Sequence, residues 1–117
     1  MMRKIDWLRE KGVDVRNGMD RCFGRESFYL NLVEKMLGDE KFDAIVRAQA
    51  AGDRGSVLNM ARALQETSGN LSLTPLVNAI GRLCDDLEKG ADAETTAVAV
   101  RDVLEIRGSL QRTGDGE

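Results

Sequence analysis

The sequence predicts an all-α fold, an antiparallel up-down four-helix bundle preceded by short N-terminal lead-in helices. Three observations favour this class. The chain has one proline and 4% aromatic residues, and its β-branched residues occur only in short runs, which disfavours a sheet. Glycine-containing turns divide it into segments whose apolar residues recur every three or four positions, as on one face of a helix. The loops are short, so neighbouring helices must run antiparallel.

Two short helices are predicted ahead of the bundle. Residues 5–10 form the first, and Gly12 stops it. Asp14 is the expected N-cap of the second, because its carboxylate can accept a hydrogen bond from a free N–H of the first turn. This helix continues through Phe23 and ends at Gly24, since glycine readily adopts the left-handed conformation found after helix ends.

The first two bundle segments are separated by a turn. One covers residues 26–37, and Gly38 either breaks it or only bends it before helical spacing resumes over residues 42–49. Its broad apolar face contains Phe28, Tyr29, Leu32, Val33 and Met36. Asp53 or Ser56 is the next N-cap. The helix that follows has one apolar stripe, formed by Val57, Ala61, Leu64, Ser68 and Leu71.

The last two helices have clear start signals. Thr74 is the predicted N-cap of the first, with Pro75 at the first helical position. Its apolar stripe is Leu76, Ile80, Leu83 and Leu87. Gly90 ends this helix and Asp92 caps the final one. The stripe of the final helix is predicted at Ala93, Ala97, Val100 and Leu104.

Composition excludes several classes of function. With 17 basic and 20 acidic residues, the net charge is −3, so no positive field attracts a nucleic acid. No apolar run is long enough for a signal peptide or a membrane span. We expect a cytoplasmic protein with one domain, residues 1–110, and a flexible polar tail, residues 111–117.

The chain has no histidine, which removes histidine-dependent catalysis; neither a metal nor a cofactor is expected. Cys22 and Cys84 lie in apolar patterns and are predicted to be reduced.

Two motifs, in order, resemble those of a known family. Residues 12–24 form a Gly-x-Asp turn and a short Gly-x-x-Arg helix, which precede an aromatic-rich helix. Residues 61–73, Ala-Arg-Ala-Leu-Gln-Glu-Thr-Ser-Gly-Asn-Leu-Ser-Leu, follow an Ala-Gly-Asp turn and precede a leucine-rich helix. Over residues 5–107 the chain resembles histidine-containing phosphotransfer (HPt) domains. The resemblance implies a helical bundle that docks on response-regulator receivers and exchanges a phosphoryl group with their aspartate.

The positions that carry phosphotransfer in HPt domains are changed in this chain. Arg62 occupies the position of the phosphorylated histidine. Gln65 stands where the family has lysine, and Glu66 and Ser72 stand where it has glycines. The packing frame persists at Ala61, Leu64, Ser68, Gly69 and Leu71. A guanidinium has no nucleophilic lone pair at neutral pH, so Arg62 cannot accept a phosphoryl group.

The departures predict an adaptor and not an enzyme. We expect an HPt-like domain that binds a response-regulator receiver or a hybrid histidine kinase without accepting a phosphoryl group. The expected partner-binding residues line the former active face: Leu58, Asn59, Arg62, Gln65, Glu66 and Gly69. Arg62 either reaches an acidic pocket of the receiver or forms only an exposed ion pair with Glu66, one helical turn away.

Other interpretations stay open at this point. The bundle could be a structural or oligomerisation unit that is no longer tied to phosphorelay, or Gln65 or Asn59 could position water to dephosphorylate a receiver. Trp7 is the only tryptophan; it either packs the lead-in helix across the bundle end or forms a partner hot spot. Asp85 and Asp86 fit a solvated face better than a metal site.

Overall fold

A computed structural model describes residues 2–112, which form helices and connecting turns with no strand among them. The helices are α1 Lys4–Glu10, α2 Val15–Arg21, α3 Glu26–Leu37, α4 Lys41–Ala50, α5 Arg54–Asn70, α6 Thr74–Glu88 and α7 Ala93–Gln111. The predicted all-α class is therefore confirmed. Helix α7 extends one residue into the predicted tail, and residues 113–117 of that tail lie outside the described residues.

Three aspartates begin helices as the sequence predicts. Asp14, Asp53 and Asp92 are the N-caps of α2, α5 and α7. Each carboxylate accepts a hydrogen bond from the backbone N–H three residues later, at 3.1, 3.2 and 2.8 Å respectively. These bonds satisfy N–H groups that have no acceptor within the helix. The cap of α5 is thus Asp53 and not Ser56.

The predicted start of α6 is wrong by one residue. The helix begins at Thr74, so Leu73 is its N-cap and Pro75 is its second residue. No side chain caps this end, and the Thr74 hydroxyl donates back to the Ser72 carbonyl at 3.4 Å. Leu73 is fully buried, which draws the chain into the core and starts the helix before the hydroxyl can cap it.

The predicted end of α2 is also wrong. The helix stops at Arg21, two residues before the expected end, because Phe23 adopts the left-handed conformation with φ 60°. Gly24 follows with φ 70°. The Phe23 side chain is consequently 85% exposed and takes no part in the apolar face of α2.

A full break separates α3 from α4. Helix α3 ends at Leu37 and Gly38 is its C-cap. The Asp39 carboxylate then accepts a hydrogen bond from the backbone N–H of Lys41 at 2.8 Å, which starts α4 anew. Phe28 of α3, predicted to be buried, is 42% exposed, because the core contacts of α3 come from the side that carries Tyr29 and Val33.

Helices α4 to α7 pack as neighbours. Helix α5 contacts α4 and α6, and α7 contacts α6 and α4. The predicted stripes of α5 and α6 are buried. On α7 the predicted face is partly wrong, because Ala93 and Ala97 are exposed while Thr96 is fully buried. Thr96 shares the buried face of α7 with Ala99, Val100 and Val103, and the Gln49 side-chain amide of α4 donates to its hydroxyl at 3.0 Å.

The lead-in helix α1 contacts α2 and α3 and is hydrogen-bonded to the C-terminal part of α7. The Trp7 indole N–H donates to the Ser109 carbonyl at 2.9 Å. Lys4 donates to the carbonyls of Leu110 and Arg112, which are among those left without partners at a helix end. Burial lowers the pKa of the Lys4 amine. One face of α1 therefore closes one end of the core.

Helix α2 joins α3 and the α5–α6 turn through a close backbone approach. The Tyr29 hydroxyl, fully buried, donates to the Leu71 carbonyl at 2.8 Å. Gly18 lies directly against the Tyr29 ring, because a Cβ atom there would be 2.5 Å from the ring carbon Cε1. Only glycine leaves this space open.

Both cysteines are reduced and lie in the interior, as predicted. Cys22 and Cys84 are buried and free. Burial raises the pKa of the Cys84 thiol, so it behaves as a small apolar side chain. None of the helices in residues 2–112 combines the length and apolar character that crossing a membrane requires.

Candidate partner-binding face

The six residues singled out from the sequence lie together on one side of α5. Successive helical residues are rotated by about 100°, so these positions fall within an arc of about 120°. Asn59, Arg62 and Glu66 are exposed, and Leu58, Gln65 and Gly69 are half-buried at the edge nearer the core. We call Leu58, Asn59, Arg62, Gln65, Glu66 and Gly69 the α5 face.

Arg62 is the one cation among the six residues of the α5 face. Its side chain is 54% exposed and pairs with the Glu88 carboxylate of α6, which is 47% exposed. The expected pairing with Glu66 is therefore wrong, because α6 brings a second carboxylate within reach across the helix–helix seam. An exposed pair of this kind contributes at most about 1 kcal/mol, so a partner's carboxylate can replace Glu88 at little cost.

Gln65 lies along the same seam, one turn further on. A Cβ atom at Gly81 of α6 would be 3.0 Å from the Gln65 side-chain nitrogen. The absence of a side chain at Gly81 thus lets the amide rest against α6. Gly81 and Glu88 contribute to this surface from α6. Neither can be assigned to it from the sequence alone, because their distance from α5 depends on how the helices pack.

The C-terminal end of the α5 face opens on a shallow polar groove. Gly69 lines it together with residues of α2 and of the start of α6: Asp14, Asn17, Ser72, Thr74 and Val77. Ser72 has φ 57°, and its hydroxyl donates to the side-chain oxygen of Asn17 at 2.6 Å. No atom lies within 4 Å of where a Cβ of Gly69 would be, so this end of the face has room for a partner.

The α5 face presents a guanidinium, two side-chain amides, a carboxylate and a leucine. Among residues 2–112, no group of three or more carboxylate or cysteine side chains is arranged to hold a metal ion. Asp85 is exposed and Asp86 half-buried. The arrangement can accept or donate hydrogen bonds and exchange ion pairs with a docked surface.

Comparison with protein-family models finds no match for this chain. Comparison with curated proteins and with solved structures finds none either.

Proposed function

We propose that this protein is an HPt-like signalling adaptor of two-component phosphorelay systems. In this proposal the protein is an antiparallel four-helix bundle whose members are α3 and α4 together, α5, α6 and α7. The α5 face docks on a receiver or hybrid histidine kinase domain in the cytoplasm. The chain accepts no phosphoryl group. By mass action it competes with phosphotransfer proteins for the same receiver surface.

The observation that carries the proposal is the arrangement of α5. Four of the five positions that the resemblance assigns to packing, Ala61, Leu64, Ser68 and Leu71, are buried, and the fifth, Gly69, is half-buried. The position that it assigns to the phosphorylated residue, Arg62, projects from the opposite, exposed side. This separation of a buried stripe from an exposed side supports the proposal that the exposed side of α5 docks on a receiver.

The backbone at Ser72 supports the same register. This residue occupies the position where HPt domains have their second glycine, and it has φ 57°. An L-residue rarely adopts this left-handed conformation, whereas glycine does so freely. The Asn17 contact compensates for part of the strain by anchoring the Ser72 hydroxyl. A site that prefers glycine thus lies where the resemblance expects one.

The charge of Arg62 supports the choice of partner. Receiver domains carry a pocket of carboxylates at their phosphorylation site, and a guanidinium can bind a carboxylate through two parallel hydrogen bonds. On docking, Arg62 would exchange the exposed Glu88 carboxylate for those of the receiver. Glu66, one turn away, disfavours a receiver that already carries a phosphoryl group.

Calorimetry against an array of purified receiver domains from the source organism tests the proposal. We expect one or a few receivers to bind, and Arg62→Glu and Leu58→Asp each to weaken binding by about tenfold or more, which corresponds to about 1.4 kcal/mol. Lys89→Glu is the control, because Lys89 is exposed outside the α5 face. Binding by no receiver, or binding unaffected by both α5-face variants, would refute the docking proposal.

A reconstruction variant tests the lost chemistry separately. We expect the native chain to take no label from a radioactively phosphorylated receiver. The combined variant Arg62→His, Gln65→Lys, Glu66→Gly and Ser72→Gly restores the family's residues, and we expect it to become labelled by a receiver that binds the native chain. Labelling of the native chain would contradict the proposal. A receiver whose phosphate lifetime shortens in its presence would favour the dephosphorylation role of Gln65 or Asn59 instead.

The alternative from the sequence is a structural or oligomerisation bundle. It requires a mass that rises with concentration in light scattering, together with no receiver binding in the same array. That combination would replace the docking proposal, whereas a monomer that binds a receiver would eliminate the alternative.

A further inference from the structure

A second surface lies between α3 and the C-terminal end of α5. Two shallow cavities of about 430 and 350 Å³ adjoin there and share Leu32, Asn70 and Leu71 in their linings. One extends to Arg21 and Phe28, and the other extends along α3 to Lys35. We call the surface formed by Arg21, Phe28, Leu32, Lys35, Asn70 and Leu71 the α3 groove. None of these residues belongs to the α5 face.

The floor and one wall of the α3 groove are apolar. Phe28, Leu32 and Lys35 follow one another at spacings of four and three, so they form one stripe along α3. Phe28 is 42% exposed and Leu32 is half-buried, although burying these side chains would be favourable. Leu71 forms the floor and is held by the Tyr29 hydroxyl. A fixed floor reduces the cost of ordering the site when a ligand binds.

Phe23 is an exposed aromatic residue that follows the end of α2. It directly follows Cys22, which also lines the groove. The residue combines φ 60°, a strained conformation for a non-glycine residue, with 85% exposure of its aromatic side chain. The strained backbone and the exposed ring are both unfavourable in the isolated chain. A ligand that covers the ring would remove the unfavourable exposure.

The rim of the α3 groove is positively charged in a chain whose net charge is −3. Arg21 and Lys35 line it, and among residues 2–112 neither has a carboxylate within ion-pair distance. Asp39 lines the far end, but its carboxylate is paired with Lys41 at 3.5 Å. The groove therefore offers a cation toward each end of its apolar strip, which is complementary to an acidic ligand.

We infer that the α3 groove binds an acidic amphipathic helix of a partner protein. From Phe28 to Met36 the groove follows α3 over a rise of about 12 Å, a little more than two helical turns. A helix of that length presents apolar residues at i, i+3 or i+4 and i+7 to such a groove. Its carboxylates would face Arg21 and Lys35. This surface is independent of the receiver-docking proposal.

Selection from a random peptide display library on the immobilised native protein tests the inference. With peptides of about 16 residues, or about four helical turns, we expect the enriched sequences to be net acidic with apolar residues at helical spacing. Their binding, measured by fluorescence anisotropy, should weaken by about tenfold or more with Phe28→Ser and with Lys35→Glu. Raised salt should weaken it too.

Control variants separate this site from non-specific binding. Val98→Ser and Lys89→Glu change an exposed apolar residue and an exposed cation outside the groove, and we expect them to bind the selected peptides as the native protein does. Phe23→Asn relieves strain, so we expect it to raise the melting temperature while it weakens binding; circular dichroism checks that every variant is folded.

Three outcomes of the peptide experiments would overturn the inference. They are enrichment of basic or uncharged peptides, enrichment no greater than on empty support, and equal binding by groove and control variants. Self-association of the native chain that Phe28→Ser abolishes would also overturn it, because it would assign the groove to a second copy.

Discussion

At the residue scale, the junction of α2, α3 and the α5–α6 turn depends on Gly18 having no side chain. A Cβ atom there would be 2.5 Å from Tyr29 Cε1 and 2.8 Å from the Leu71 carbonyl oxygen. Neither the ring nor the backbone carbonyl can move without breaking the hydrogen bond between them. We expect Gly18→Ala to lower the free energy of unfolding by about 2 kcal/mol, measured by urea denaturation.

A matched glycine gives the control for Gly18. Gly108 lies within α7, and nothing lies within 4 Å of where its Cβ would be. Gly108→Ala should raise the free energy of unfolding by about 0.5–1 kcal/mol, because alanine favours the helix. Equal effects of the two substitutions would contradict the close approach at Gly18.

Tyr29 makes stability depend on pH in the alkaline range. Burial raises the pKa of its hydroxyl to about 12, whereas in the unfolded chain it is about 10. Below pH 10 the Tyr29 hydroxyl is protonated in both the folded and the unfolded chain, so its contribution to stability is complete. Between about pH 10 and 12 only the folded state keeps it, so stability should fall by about 2–3 kcal/mol over that range.

The measurement for Tyr29 compares the native protein with Tyr29→Phe. Because Tyr29 is the only tyrosine, tyrosinate absorbance reports its ionisation directly. Urea denaturation at several alkaline pH values should show a smaller pH dependence for the variant. The variant should also be less stable at neutral pH, since the Leu71 carbonyl loses its donor. An ordinary tyrosine titration in the folded native protein would contradict this prediction.

At the scale of elements, the start of α7 depends on one carboxylate. Hydrogen bonds from Thr95 lower the pKa of Asp92, so its contribution to stability is present above the ordinary carboxyl pKa and is lost as pH falls through the lowered value. Asp92→Ala should reduce the melting temperature by a few degrees, about the effect of losing an N-cap. Asp92→Asn keeps a side-chain oxygen that can accept the hydrogen bond, so its melting temperature should fall less. Because an amide does not titrate, this variant should also lack the dependence of stability on acid pH.

The seam between α5 and α6 gives a prediction about a pair of residues. Arg62 and Glu88 are each about half exposed, and exposed pairs contribute little. A double-mutant cycle with Arg62→Ala and Glu88→Ala should give a coupling energy below about 1 kcal/mol. A larger value would mean that Arg62 is committed to holding the two helices together and is less free to exchange partners on docking.

At the scale of the whole molecule, Trp7 reports whether the lead-in helix belongs to the same cooperative unit as the bundle. Its indole bonds to Ser109, and Ile5 and Leu8 of α1 are buried in the core. We expect urea denaturation followed by Trp7 fluorescence and by circular dichroism to give coincident transitions, as in two-state unfolding. An earlier fluorescence transition would show that α1 detaches first.

Local patterns in the sequence were enough to predict most of the elements. Aspartate caps at Asp14, Asp53 and Asp92 and the apolar stripes of α5 and α6 depend on neighbours within about one helical turn, so they can be found without knowing the fold. The six positions of the α5 face share one helix, and helical periodicity alone brings them to one side. Whether that face binds a partner remains a prediction.

Contacts between elements could not be predicted in the same way. Thr96 is in the core in place of Ala93 and Ala97 because the face of α7 that carries Ala99, Val100 and Val103 is the one that packs on its neighbours, and Arg62 pairs with Glu88 and not with Glu66 because α6 lies alongside. The exposure of Phe28 and the groove beside it likewise depend on which side of α3 meets the core.

The sequence by itself thus determined the helical class, the aspartate caps and the absence of a histidine nucleophile, because each depends on residue type and local spacing. The tertiary structure alone decided the partner of Arg62, the rotation of α7 and the existence of the α3 groove. These depend on the angles and distances at which separate helices pack, and residues far apart in the chain set them together.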